Sequence, residues 1–188
     1  VDFVRVPGVI KLRNGEYTSL TLPMAIEDAI AMRASIIRHT AEVFKPDIVL
    51  VDKEPFGLRG ELAATLETMK SQGARIVLGL RDVLDDPDQL REGWARKNSI
   101  AALEESYDEI WIYGLPQICE PLNGLELPPS ICRKISYTGY LERTVDASVV
   151  SERPVVKRDD PFILVTPGGG GDGEELVDWV LRAYEYDS

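Results

Sequence analysis

The apolar positions along the chain change their period several times, and each change marks an element. Val1-Asp2-Phe3-Val4-Arg5-Val6 alternates with a period of two, which predicts a strand closed by Pro7-Gly8. A polar stretch with the turn pair Asn14-Gly15 follows. Ile26, Ile30, Ala34, Ile37, Ala41 and Phe44 then recur every three or four positions, with Glu27, Arg38 and Glu42 off the stripe. That is the pattern of a helix, ended by Pro46. Ile48-Val49-Leu50-Val51 is an unbroken apolar run rich in β-branched residues, the composition of a strand buried on both faces. Leu62, Leu66 and Met69 predict a helix stopping at Gly73, and Arg75 to Leu80 a second buried strand. Asp86-Pro87-Asp88-Gln89 carries a helix start, with Asp86 as N-cap, Pro87 at the first helical position and Gln89 in a capping-box arrangement. Leu90, Trp94, Ala101 and Leu103 continue one helical face, and Ile110 to Tyr113 is a third strand.

Strand–helix–strand units of this length predict an α/β fold, a Rossmann-like, doubly wound parallel sheet. Beyond Gly114 the texture changes: Pro116, Pro121, Pro128, Pro129 and Pro154 interrupt regular structure, with one short strand expected within Arg133 to Tyr137. Ser151 to Asp160 is dense in charge and reads as a linker. The pattern then restarts, with Phe162 to Val165 as strand, Gly168 to Gly171 as loop, and Leu176, Val177, Val180, Leu181 and Tyr184 as a helix face. The expected organisation is a first domain over 1–143, an interdomain linker over 144–160 and the first βα unit of a second domain over 161–188. A strand pattern already running at Val1, without an initiator Met, and a helix running almost to Ser188 are expected of an internal excerpt of a longer protein.

Composition removes several classes. In 188 residues, 44% are hydrophobic, sufficient for a core. Acidic residues outnumber Lys plus Arg by 32 to 21, a net charge of −11, which disfavours nucleic acid and anionic membrane surfaces. No apolar run approaches the roughly 20 residues that span a bilayer. Cys119 and Cys132 form neither a disulfide framework nor a CxxC pair, and the single histidine, His39, lies off the stripe of its helix. A His/Cys metal site and a Ser-His-Asp or Cys-His arrangement are therefore not expected, and the setting expected is cytoplasmic.

Two places carry candidate chemistry. Thr166-Pro167-Gly168-Gly169-Gly170-Gly171-Asp172-Gly173 lies between a strand pattern and a helix pattern. Glycines let backbone approach a phosphate, and the helix start offers free N–H groups. The run is neither GxGxxG nor a P-loop, so it serves either phosphate contact or a plain βα turn. Asp172, Glu174 and Glu175 sit at the helix start, where Asp172 as N-cap and Glu175 at the capping-box position satisfy the helix dipole. The second place is the carboxyl end of the first sheet, where ligands gather in open α/β folds. Asp52 and Glu54 follow one strand, Arg81 and Asp82 the next, and Tyr113 ends the third. They offer a general base and a diphosphate clamp, or merely shape the loops at the strand ends.

Val4-Arg5-Val6-Pro7-Gly8-Val9, Leu78-Gly79-Leu80-Arg81-Asp82 with Asp85-Asp86-Pro87, Tyr137-Thr138-Gly139-Tyr140-Leu141 and the Gly168 to Gly173 loop, in that order, resemble a bacterial family of predicted glycosyltransferases. That family is more distantly similar to the lipid-linked N-acetylglucosaminyltransferase of peptidoglycan synthesis. The resemblance implies a GT-B architecture, with the acceptor on the first Rossmann-like domain and a nucleotide-sugar donor mainly on the second. On that basis Gly168, Gly169, Gly170 and Gly171 would meet the donor's phosphates. Thr138-Gly139-Tyr140 would lead out of the first domain towards the linker, and Tyr140 joins Asp52, Glu54, Arg81 and Asp82 among the cleft candidates. No cofactor beyond the nucleotide-sugar substrate and no metal is implied, and the acceptor is not specified. The family's first strand and its histidine-bearing glycine loop have no counterpart here, so this chain alone is expected to lack transferase activity. The catalytic residue is not identified. The same fold also suits a nucleotide-sugar epimerase or a non-catalytic nucleotide-binding module, whereas a dinucleotide-dependent dehydrogenase is disfavoured because no complete GxGxxG follows a strand.

Overall fold

The computed structural model describes residues 2–12, 15–20, 22–84, 86–140, 163–167 and 173–186. The chain divides into two units, Val1–Glu142 and Arg143–Ser188.

The first unit opens with a hairpin rather than the strand expected at Val1 to Val6. Residues 2–8 belong to no regular element, and β1 (Val9–Lys11) pairs antiparallel with β2 (Tyr17–Ser19), Ile10 facing Thr18. The ladder extends one step further through the Leu20 N–H to the Gly8 carbonyl, at 2.9 Å. Pro7, which has no N–H to donate, stands just before that last rung.

Helix α1 (Ile26–Phe44) begins with Glu27 and Asp28 in its first turn, where carboxylates favour the positive end of the dipole. It ends at Lys45, in the left-handed region (φ 51°), whose N–H reaches the Ala41 carbonyl at 2.8 Å just before Pro46. The helix rests on the following helix and on β2.

The core is a parallel sheet of β3 (Ile48–Asp52), β4 (Arg75–Arg81), β5 (Glu109–Tyr113) and β6 (Ile135–Tyr137), ordered β3-β4-β5-β6. Helix α2 (Ala63–Ser71) links β3 to β4, while α3 (Pro87–Arg96) and α4 (Ser99–Ser106) link β4 to β5. The short helix α5 (Pro129–Cys132), which no apolar period announces, precedes β6. Each crossover moves one strand further in the same direction, and right-handed crossovers of that kind place every helix on one face. The contacts agree: α1 lies against α2, α2 against α4, and α4 against α3 and α5. Val51, Leu78, Leu80, Ile110 and Ile112 point into that layer and share a core with Leu66, Met69, Trp94, Leu103 and Ile131.

That arrangement corrects the expectation for β3. Val51 is buried, but Ile48 and Leu50 are 56% and 51% exposed. Alternate residues of an edge strand face opposite sides, and Ile48 and Leu50 lie on the side away from the helices. A doubly wound sheet carries helices on both faces; among the described residues of this unit the second layer is absent.

The single helical face expected from Leu90 to Leu103 is broken in two. Asp86 caps α3 as expected, its Oδ1 accepting from the Asp88 N–H at 3.0 Å, with Pro87 at the first position. The break falls at Asn98, which adopts the left-handed region (φ 51°) that asparagine tolerates better than most residues.

Lys134 closes the far end of α4. Its Nζ donates to the carbonyls of Leu103 (2.8 Å), Glu104 (2.8 Å) and Tyr107 (2.6 Å), placing a cation at the negative end of the helix. Burial lowers the Lys134 pKa, the Lys70 charge lowers it further, and Asp108 and Glu104 oppose the shift. Tyr107 is buried, and its hydroxyl donates to the Pro55 carbonyl in the loop after β3. Burial pushes its pKa well above the ordinary phenol value of 10.0.

These two groups act oppositely at alkaline pH. The unfolded chain ionises Tyr107 first, so it binds fewer protons than the folded chain and stability falls as pH rises past 10.0. Lys134 favours the folded state as pH rises towards 10.5, because there the unfolded chain holds the extra proton. The tyrosine carries the larger displacement, so net alkaline destabilisation is expected. Tyr107→Phe should cost about 1–3 kcal/mol at neutral pH through the lost hydrogen bond, yet flatten the alkaline limb. Urea midpoints measured from pH 8 to about 11 check this; an alkaline limb as steep as the parent's would contradict it.

In the second unit, α6 (Glu174–Tyr186) forms as expected, with Glu174 and Glu175 in its first turn. The strand expected over Phe162 to Val165 does not form in its described part. Ile163 to Val165 belong to no regular element, and Ile163 and Leu164 are exposed. A strand needs a neighbour to receive its N–H and C=O groups, and neither residue is covered by one. The linker, Gly168 to Gly171 and Asp172 lie outside the described residues.

Candidate site at the carboxyl ends of the strands

Because the four strands are parallel, their carboxyl ends share one edge, and the register fixes which residues meet there. Asp52 pairs with Gly79, Gly79 with Trp111, and Arg81 with Tyr113. Asp52, Gly79, Arg81 and Tyr113 therefore lie on one face, the side away from the helices. The Tyr113 ring lies across Gly79: a side-chain carbon added at Gly79 would collide with the phenol. Glycine inside the apolar run Ile76-Val77-Leu78-Gly79-Leu80 is the one sequence signal for this close approach. Burial raises the Tyr113 pKa, and the Asp52 charge raises it further, so the phenol keeps its proton beside that carboxylate.

Asp82 follows directly and packs against Gly114, where a side-chain carbon would again collide. Its Oδ2 accepts from the Tyr140 hydroxyl at 2.6 Å. The route of the chain to that contact is local. β6 ends at Tyr137, the Thr138 N–H continues to the Ile112 carbonyl, and Gly139 turns in the left-handed region (φ 72°) with its N–H on the Gly114 carbonyl. Tyr140 is thereby delivered to Asp82. That hydrogen bond raises the Tyr140 pKa, followed by burial, the Asp82 charge and Cys119. Arg81 pairs with no carboxylate among the described residues.

Of the sequence candidates, the structure joins Asp82 to Tyr140 and sets Asp52 and Arg81 on the same face with Tyr113. It separates Glu54 from them. Glu54 turns to Lys97 at 2.8 Å, at the junction of α3 and α4 on the helix side of the sheet. The reason lies in the chain path: Lys53 takes a left-handed conformation (φ 65°), ending the strand alternation before Glu54. Gly168 to Gly171 lie outside the described residues. His39 is exposed, and Trp111 donates to Glu109 Oε2 at 2.6 Å rather than to any ligand-facing group.

The edge thus offers two protonated phenols, each beside a carboxylate, and the Arg81 guanidinium, unpaired among the described residues. Such a set can orient a polyhydroxylated or anionic ligand through paired donors and acceptors. Gly79→Ala is expected to displace the Tyr113 ring and cost about 1–3 kcal/mol. Near-UV circular dichroism and a denaturation curve would report it, and an unchanged tyrosine signal with wild-type stability would refute the placement.

No family model, no curated protein and no solved structure matches the chain. Among the described residues, no helix is long and apolar enough to cross a membrane, and no group of three or more His, Cys, Asp or Glu is placed to hold a metal ion.

Proposed function

We propose that the chain serves sugar transfer from a nucleotide-diphosphate donor to an acceptor, as part of a GT-B-type glycosyltransferase. The observation that carries this reading is the clustering of Asp52, Arg81, Tyr113, Asp82 and Tyr140 at the carboxyl edge of a parallel sheet. Two of the motifs that resemble the glycosyltransferase family, Leu78 to Asp82 and Tyr137 to Leu141, meet there through the Asp82–Tyr140 hydrogen bond. In this reading the phenol–carboxylate pairs orient acceptor hydroxyls. Gly168 to Gly171 supply N–H groups to the donor's phosphates, where negative charge develops on the leaving group.

The test is a thermal-shift panel on the protein as its cell makes it, with UDP, GDP, ADP, TDP and NAD in turn. A ligand at about a hundredfold over its dissociation constant adds roughly 2.7 kcal/mol of stability. Selective stabilisation by one nucleoside diphosphate supports the reading and names the donor base. Stabilisation by NAD alone, or by none of the five, overturns it. Product analysis with the matching labelled nucleotide sugar then separates transfer from epimerisation.

A further inference from the structure

A cavity of about 470 Å³ opens between the loop after β3 and the junction of α3 with α4, on the opposite side of the sheet from the Tyr113 cluster. We infer that it binds a small organic anion: a phosphate or carboxylate group carried on an aromatic or short apolar body.

The apolar part of the argument is the wall. Phe56 and Leu58 line the cavity together with Tyr17 from the hairpin, and the volume falls within the range of small-molecule sites. The charge is the more telling part. Arg59, Arg96 and Lys97 all line it, against one carboxylate, Glu54. In a chain of net charge −11, such a local excess of cations is the reverse of the global balance, and it is what an anion requires.

Two of these cations are fixed in place. Lys97 is held by Glu54 at 2.8 Å, and Arg59 by Glu27 at 3.2 Å, with its guanidinium 5.9 Å from the Tyr17 ring centre. Arg96 has no carboxylate partner among the described residues and is the cation left for a ligand.

The start of α4 supplies the donors. Asn98 makes no side-chain cap, and no acidic residue stands in the first turn, so the positive end of the helix is uncompensated. Ser99, the first residue of that helix, lines the cavity and is only 2% exposed. Its N–H belongs to the first turn, whose amides have no intrahelical acceptor, and the Glu54 carboxylate is engaged by Lys97 rather than by this helix start.

The inference is independent of sugar transfer, because a chain with no transfer chemistry would keep this cavity. The test is calorimetric titration of the full chain with phenyl phosphate and with benzoate, using benzyl alcohol as the neutral control. Saturable binding of either anion is expected, weakened about tenfold or more in Arg96→Gln and in Ser99→Ala, with unliganded melting temperatures close to the parent's. The tighter of the two anions identifies the group. Absence of saturable binding for both anions, equal binding of benzyl alcohol, or undiminished affinity in both variants would overturn the inference.

Discussion

Glu61→Ala is expected to destabilise the chain by about 3–5 kcal/mol, the largest loss among the polar substitutions considered. Glu61 is 8% exposed, although it follows directly on a loop, and it accepts two hydrogen bonds from Arg33 of α1, Nε at 2.5 Å and Nη2 at 2.7 Å. Arg33 Nη1 continues to the Pro7 carbonyl at 2.7 Å, and the Leu58 N–H reaches Glu61 Oε1 at 3.3 Å. One carboxylate thus ties α1, the segment before β1 and the loop after β3. The hydrogen bond to Glu61 raises the Arg33 pKa, so the guanidinium stays charged at every accessible pH. Removing the carboxylate alone leaves that cation poorly solvated, which is why the single change costs more than the pair contributes.

The double replacement Arg33→Met with Glu61→Leu is expected to cost clearly less than the two single changes added together. Urea unfolding of the four proteins completes the cycle. A Glu61→Ala loss below about 1 kcal/mol would place the pair in solvent and contradict this geometry. The same bond has a functional side. The loop it anchors contains Gly57, Arg59 and Gly60 in left-handed conformations, and it carries Arg59 into the wall of the proposed anion site. Glu61→Ala should therefore weaken phenyl phosphate binding without touching the ligand, and Glu61→Gln, which keeps an acceptor, should restore part of it.

The elements that could be read from the sequence are those whose signal is periodic and long. The α1 stripe, the β-branched run of β3 and the apolar runs of β4 and β5 each specify their own conformation over four or more residues. Where the reading failed, the deciding factor was a neighbour. Val1 to Val6 alternates like a strand, yet β1 forms two residues later, because Tyr17 to Ser19 meets Val9 to Lys11 instead. Leu90 to Leu103 carries helical spacing across Asn98, and one left-handed residue resolves it into two helices. Glu54 and Asp52 are two positions apart and look equivalent, but Lys53 turns the chain between them and sends Glu54 to Lys97. The proposed anion site was invisible for the same reason. Arg59, Arg96 and Ser99 belong to different elements, and no spacing rule relates them.

Leu78→Ala is expected to cost about 2–5 kcal/mol, whereas Leu50→Ala should cost about 1 kcal/mol or less. The two leucines lie in neighbouring strands and have the same chemistry. By the register, Leu78 pairs with Val51 and so faces the helices, while Leu50 pairs with Val77 and faces the opposite side. Leu78 is fully buried, within the core that includes Leu66, Met69 and Leu103, so its truncation leaves a cavity that close-packed neighbours cannot collapse into. Leu50 is half exposed, and its truncation mainly removes apolar surface already in contact with water. The contrast measures whether the sheet is covered on one face or two. Equal losses would mean that Leu50 is buried in solution, by a second copy or by another part of the protein. In that case Ile48, beside it on the same edge, should show a similar loss on truncation. A large difference, with unfolding cooperative in both variants, establishes a sheet whose second face is open along β3. That outcome leaves Asp52 and Tyr113, which share the open face, accessible to a ligand arriving from solvent.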